Sequence, residues 1–129
     1  MIGYATLGTN DLERARAFYD ALLGEAGGRR LMVMDDEAPG YTFYGRRMEE
    51  PMLAICRPFD GGAATPGNGN MVALAADSRD QVDRLHARAL ELGGSDEGAP
   101  GIREPAEMGF YGAYWRDPDG NKLCAFKLG

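Results

Sequence analysis

The stretch GYATLGTNDLERARAFYDALL, residues 3–23, returns 67 positions later as NMVALAADSRDQVDRLHARAL, residues 70–90. Identity between the two is low, but the pattern is kept: an apolar strand, a small polar stop, then a helix. Phe18 falls on Leu85, Leu23 on Leu90 and Gly27 on Gly94. Two copies of one strand–helix unit constrain the fold, and through the fold the place where a site can lie.

Within the first copy, residues 3–9 alternate and stop at Thr9-Asn10-Asp11. Asn10 followed three residues on by Glu13 reads as a capping box. Leu12, Ala15, Phe18, Tyr19, Leu22 and Leu23 then recur at helical spacing and give one apolar face. Gly24 and the Gly27-Gly28 pair end that helix. Strands are expected over about 30–34, 41–45 and 52–57, with Pro39-Gly40 and Glu49-Glu50-Pro51 as the turns between them.

The second copy repeats the scheme. A strand over about 71–76 leads to Asp77-Ser78 as a cap. The next helix turns Val82, Leu85, Ala89 and Leu90 inward and ends at Gly93-Gly94. A weak strand near Ser95 is followed by a long loop, 97–109, that could cover a cleft as a lid. Two last strands, about 110–116 and 122–128, are joined by Asp117-Pro118-Asp119-Gly120-Asn121. There Pro118 sets φ, Asp caps locally and Gly120 supplies the left-handed residue of a hairpin. The chain thus reads as one domain, 1–129, with a first unit at 1–58, a linker at 59–69 and a second unit at 70–129.

A length of 129 residues allows one domain with a real core. Apolar content of 44% and charged content of 26% are those of an ordinary globular chain. No apolar run has the length of a membrane span, and no basic-then-apolar leader opens the sequence, so no membrane partner is expected and the cytoplasm is the expected location. The net charge of −6, with arginines interleaved among acids, excludes a nucleic-acid surface. Cys56 and Cys124 are expected as buried free thiols.

Three stretches carry a family resemblance. They are the opening TLGTNDLERARAFY (6–19), the middle ARALELGG (87–94) and the closing YGAYWRDPDGNKL (111–123). Together, in this order and spacing, they resemble the vicinal oxygen chelate superfamily of glyoxalases, bleomycin-resistance proteins and extradiol dioxygenases. The resemblance implies an α+β fold: two βαβββ modules whose strands form a curved mixed sheet around a cleft. It also implies a homodimer.

Metal-bearing members of that superfamily place ligands on the first and last strands of each module. Carried over by position, those places hold Tyr4, Leu53, Met71 and Cys124. A phenol, an alkyl group, a thioether and a thiol are a poor set for a divalent cation, which wants imidazole and carboxylate. The single histidine, His86, sits on the second helix beside Leu85 and reads as a surface or interface residue. The expectation is therefore a site without metal and without cofactor.

Other candidates are weaker. Tyr4 and Tyr114 are the strand aromatics expected to face the cleft, whereas Trp115 is expected in the core. An aromatic-lined groove suits a flat or apolar small molecule, and plain sheet packing would use the same residues. Cys124 could be a cleft thiol, although filling space is the simpler role. Glu107 in the loop is the one carboxylate there to consider as an acid or base. Asp35-Asp36-Glu37 reads as a solvated turn, since it lacks the spacing of a calcium loop.

Three functions follow in order. The first is a metal-free binding protein of the bleomycin-resistance kind that holds a small aromatic or amphipathic molecule through Tyr4, Leu53, Met71, Tyr114 and Cys124. The acidic balance favours a cationic ligand for it. The second is a metal-independent lyase or isomerase of the glyoxalase superfamily, using Tyr, Cys124 or Glu107. The third is a metal-dependent glyoxalase or dioxygenase, against which the residue inventory speaks.

Overall fold

A computed structural model describes residues 1–34 and 39–129. Its elements run β1 (Tyr4–Gly8), α1 (Leu12–Gly24), β2 (Arg29–Val33), β3 (Thr42–Gly45), β4 (Met52–Cys56), then β5 (Val72–Ala75) and α2 (Arg79–Glu91). They finish with β6 (Ser95–Ile102), a 3-10 turn (Ala106–Met108), β7 (Phe110–Arg116) and β8 (Lys122–Leu128). The structure has two four-stranded mixed sheets, ordered β1-β4-β3-β2 and β5-β8-β7-β6. In each, the first strand pairs parallel with the last and the other pairs are antiparallel. A parallel pair needs a crossover, and in each module the helix lies within it. This is the two-module α+β architecture expected from the repeat.

Strand alternation sorts the side chains into two layers. On the helix side lie Tyr44, Leu53 and Ile55 of the first sheet, and Ala113, Trp115, Leu123 and Ala125 of the second. They meet Phe18, Tyr19 and Leu22 of α1 and Val82, Leu85 and Ala89 of α2 in one core cluster. Trp115 is fully buried there, as its sequence position suggested. Leu22 and Leu85 are equally sealed, so truncating either to Ala costs about 2–5 kcal/mol.

The helix starts differ in detail from the sequence reading. Asp11, not Asn10, caps α1, its carboxylate accepting from the Arg14 N–H at 3.1 Å. Asn10 is drawn away by a long-range partner: its amide accepts from the Ala64 N–H at 2.7 Å and donates to the Ala64 carbonyl at 3.1 Å. Ser78 caps α2 as expected, accepting from the Gln81 N–H at 3.1 Å. The end of α1 is closed by the Gly28 N–H reaching the Leu23 carbonyl at 2.8 Å, with Gly27 at φ 79°.

The region read as a long loop is mostly strand. β6 continues to Ile102, carried along β7 by two register shifts around Gly98 and Gly101. Pro100 falls within the second shift on an edge strand, where a missing N–H is tolerated. The acidic turn 35–37 lies outside the described residues.

The Asp117–Asn121 hairpin turn does more than reverse the chain. Its carboxylates and amide reach back to the first module: Tyr19 Oη donates to Asp117 Oδ2 at 2.6 Å, and Asn121 Nδ2 to the Gly8 carbonyl at 2.9 Å. At the far end of α1, Gln81 Nε2 donates to the Glu25 carbonyl at 3.1 Å. These bonds hold the two modules together at both ends of the first helix.

Candidate functional site

Among the described residues β1 pairs only with β4 and β5 only with β8, so each is an edge strand of its sheet. A cleft of about 560 Å³ is lined by residues of both modules. Ala5, Leu23, Ala26, Met52 and Leu53 wall it from the first module, and Met71, Ala73, Leu74 and Ala75 from the second. Such a volume with mostly apolar walls and few polar groups is the usual form of a small-molecule site. Arg46 and Glu50, paired at 3.1 Å, and Asp77 supply the charged groups of its lining. Tyr44 offers only its ring: its hydroxyl donates to Asp20 Oδ1 at 2.8 Å, and burial with that bond pushes its pKa upward.

The sheet faces turned away from the helices carry a second set. In the first module, Tyr4 meets Phe43 edge-on with ring centroids 5.1 Å apart, and Tyr41 stacks on Phe43 at 5.7 Å. In the second, Phe110 stacks on Phe126 at 5.3 Å. Beside that stack, Tyr114 stands opposite Cys124 in register, and the side chains of Arg103 and Lys122 approach its ring to 5.3 and 5.5 Å.

The sequence candidates divide between these places. Leu53 and Met71 line the cleft; Tyr4, Tyr114 and Cys124 do not. Leu53 belongs to the helix-side core with Tyr44, whereas its neighbour Ala54 shares the Tyr4 face. The registers explain why: Ala5 stands against Leu53 as Val72 stands against Leu123, so the counterpart of Cys124 is Ala54. Locating the position by repeat alone misplaced it by one residue, and one residue reverses the face.

Cys124 and Cys56 are both buried free thiols. Burial pushes the Cys124 thiol up from its ordinary value, and Tyr114, Arg103 and Lys122 pull the other way without overcoming it. A thiol held protonated and sealed from solvent is a poor nucleophile. Glu107 sits exposed on the 3-10 turn, with no hydrogen bond or ion pair to the Tyr114 group. His86 is buried rather than on the surface, and its Nε2 lies 2.8 Å from Asp96 Oδ1, tying α2 to β6.

The places that the resemblance assigns to metal ligands hold Tyr4, Met71, Cys124 and Leu53 or Ala54. Among the described residues no three of His, Cys, Asp and Glu converge as a metal would require. The donor set itself does not fit the group: an alkyl side chain cannot coordinate, and a buried protonated thiol, a thioether and a phenol bind hard cations poorly.

Sequence reasoning did not bring Arg103 and Lys122 to the Tyr114 ring, nor name Ala26, Met52 and Leu74 as cleft walls. The Gly98-x-x-Gly101-x-Arg103 spacing was the available signal for Arg103. A Cβ on Gly98 would stand 3.1 Å from the Arg103 guanidinium and 3.0 Å from the Tyr114 ring.

Comparison with known proteins agrees with this architecture. The chain is similar over 100% of its length to a glyoxalase/bleomycin resistance protein from Albidiferax ferrireducens T118, at 38% identity, 99% coverage of that chain and a TM-score of 0.85. A glyoxalase-related enzyme from Fulvimarina pelagi shares the fold at 23% identity, covering 98% of this chain and 87% of that one, with a TM-score of 0.74. A glyoxalase I mutant from Zea mays does so at 23% identity, over 97% of this chain and 43% of that one, with a TM-score of 0.75. No curated protein matches the chain. The profile of the Glyoxalase/Bleomycin resistance protein/Dioxygenase superfamily matches residues 1–125, and the chain belongs to that superfamily.

Proposed function

We propose that this protein binds a small aromatic or amphipathic molecule in the cleft between its modules and does so without a metal centre. The observation that carries this is the 560 Å³, mostly apolar cleft lined by residues of both modules. Burying an apolar ligand there gains about 25 cal/mol per Å² removed from water. The Arg46–Glu50 pair and Asp77 in the lining would orient a polar end. A homodimer is part of the proposal, since Tyr4, Met32 and Met71 leave apolar surface exposed beside the cleft and on the outer sheet face. The cytoplasmic location rests on the sequence alone; among the described residues no helix is long and apolar enough to cross a membrane.

Thermal shift against flat aromatic compounds, cationic and neutral, tests the binding. A ligand at a hundredfold over its Kd stabilises by about 2.7 kcal/mol, which raises Tm by several degrees. The Ala75→Trp variant adds bulk at an exposed strand position in the cleft wall and should abolish that shift while leaving the fold intact. A shift that survives in this variant sinks the cleft proposal. Stoichiometric Zn, Ni or Fe in purified protein sinks the metal-free part. Sedimentation showing only 13.9 kDa species overturns the dimer.

A further inference from the structure

The outer face of the second sheet carries a cationic group in an acidic chain. Arg103, which follows β6, turns its guanidinium over the Tyr114 ring, with Cζ 5.3 Å from the centroid. Two carbonyls fix its direction: Nη1 donates to Gly101 at 3.0 Å and Nη2 to Ala99 at 2.7 Å. Gly98 and Gly101 leave the room it occupies, since a Cβ on either would stand 3.1 or 3.2 Å from its terminal nitrogens. Lys122 approaches the same ring from β8, with Nζ 5.5 Å from the centroid.

Among the described residues neither cation is neutralised: no hydrogen bond or ion pair engages the Lys122 ammonium, and no carboxylate pairs with the Arg103 guanidinium. Glu97, the acid on the neighbouring stretch of β6, is taken by Arg116 at 2.7 Å. A guanidinium has five N–H donors, of which Arg103 spends two, and an ammonium has three. Half-buried cations held on an aromatic face with donors to spare are matched to an acceptor-only group.

We infer that Arg103 and Lys122, seated on Tyr114 of the second sheet, form a binding site for a small oxyanion, the carboxylate of an organic acid. The planar guanidinium suits a carboxylate in two-point contact, and the lysine adds a point charge. Cys124 lies opposite Tyr114 and beside Ala73, which also walls the cleft, so an apolar tail could run from this site toward the cleft. The site does not depend on the cleft being occupied.

The test is a titration with benzoate and with inorganic phosphate, followed by amide chemical shifts of Ala73, Tyr114 and Cys124. Saturable shifts with benzoate are expected. In Lys122→Met, which keeps the apolar stem, the benzoate Kd should weaken about tenfold or more, and in Lys122→Glu binding should vanish. Arg88→Gln removes a cation of α2, on the helix side of the sheet and already paired with Glu91, and should leave the Kd unchanged. Arg103→Gln should behave like Lys122→Met, and well-dispersed spectra will establish that each variant is folded. No saturable shift up to tens of millimolar benzoate, or equal loss in Arg88→Gln, overturns the site. Tighter binding of phosphate than of benzoate overturns the carboxylate assignment.

Discussion

Asp119 of the second module accepts a hydrogen bond from the Thr9 hydroxyl of the first at 2.6 Å, across 110 residues of chain. The same carboxylate takes the Asn10 N–H at 2.9 Å and an Arg14 guanidinium N–H at 2.9 Å. Its side chain is 3% exposed, so these partners replace water rather than compete with it. The hairpin turn of one module thereby closes the start of the helix in the other.

Asp119→Ala should cost about 1–3 kcal/mol, because it removes at once the acceptor of the Thr9 hydroxyl, the Asn10 N–H and the Arg14 guanidinium. Arg14→Ala should cost under about 1 kcal/mol, since Arg14 is 47% exposed and its pairing is screened. Chemical denaturation of both variants checks the ranking. Equal losses would show that the exposed arginine, not the Thr9 bond, holds the joint.

Alkaline pH should loosen the same joint. Burial, then the Asp117 carboxylate, raises the Tyr19 phenol well above its ordinary value, and burial with Asp20 raises Tyr44. A raised folded pKa contributes stability that is whole below the unfolded value of about 10 and is lost as pH rises beyond it. Stability measured from pH 8 to 11.5 should therefore fall above about pH 10. Tyr19→Phe should be less stable at neutral pH by about 1–3 kcal/mol and show a shallower alkaline loss. An unchanged alkaline slope in that variant would remove Tyr19 from the account.

At the acid end, burial would raise the Asp20 pKa, but hydrogen bonds from Arg30 and Tyr44 outweigh it and leave the pKa lowered. That stability is present above the ordinary Asp value of about 4 and is lost as pH falls through the lower folded value. Asp20→Asn should flatten the acid limb of the stability profile below pH 4. The limb staying as steep would assign it to other carboxylates.

Gly94→Ala should be among the most damaging small substitutions. Its Cβ would stand 2.7 Å from the Arg116 carbonyl and 2.8 Å from that of Ala89, and neither backbone atom can swing aside. A cost of about 2–4 kcal/mol is expected by thermal denaturation. Gly24→Ala, whose Cβ would meet nothing within 4 Å, should be neutral or stabilising.

Thiol titration separates a reactive cleft cysteine from a packed one. Burial raises both Cys56 and Cys124, so native protein should react slowly with a disulfide reagent and unfolded protein should release two equivalents. Fast reaction of Cys124 in the native state would restore it as a nucleophile.

Much of this molecule is legible along the chain. The repeat of residues 3–23 at 70–90, with the hairpin residues 117–121, determined two βαβββ modules, because periodicity and turn chemistry are local properties. Composition by itself also limits the chain to a single imidazole, His86. The tertiary structure decided the rest. Whether Leu53 or Ala54 shares a face with Tyr4 depends on strand register, where a slip of one residue inverts every side chain. Asn10 lost its cap to Asp11 because Ala64, distant in sequence, offered it two bonds. The cleft draws its walls from both modules, and Arg103 meets Lys122 on Tyr114 only because β6, β7 and β8 pair in one sheet. Periodicity names the elements; only their packing brings Arg103 and Lys122, from separate stretches of the chain, onto one ring.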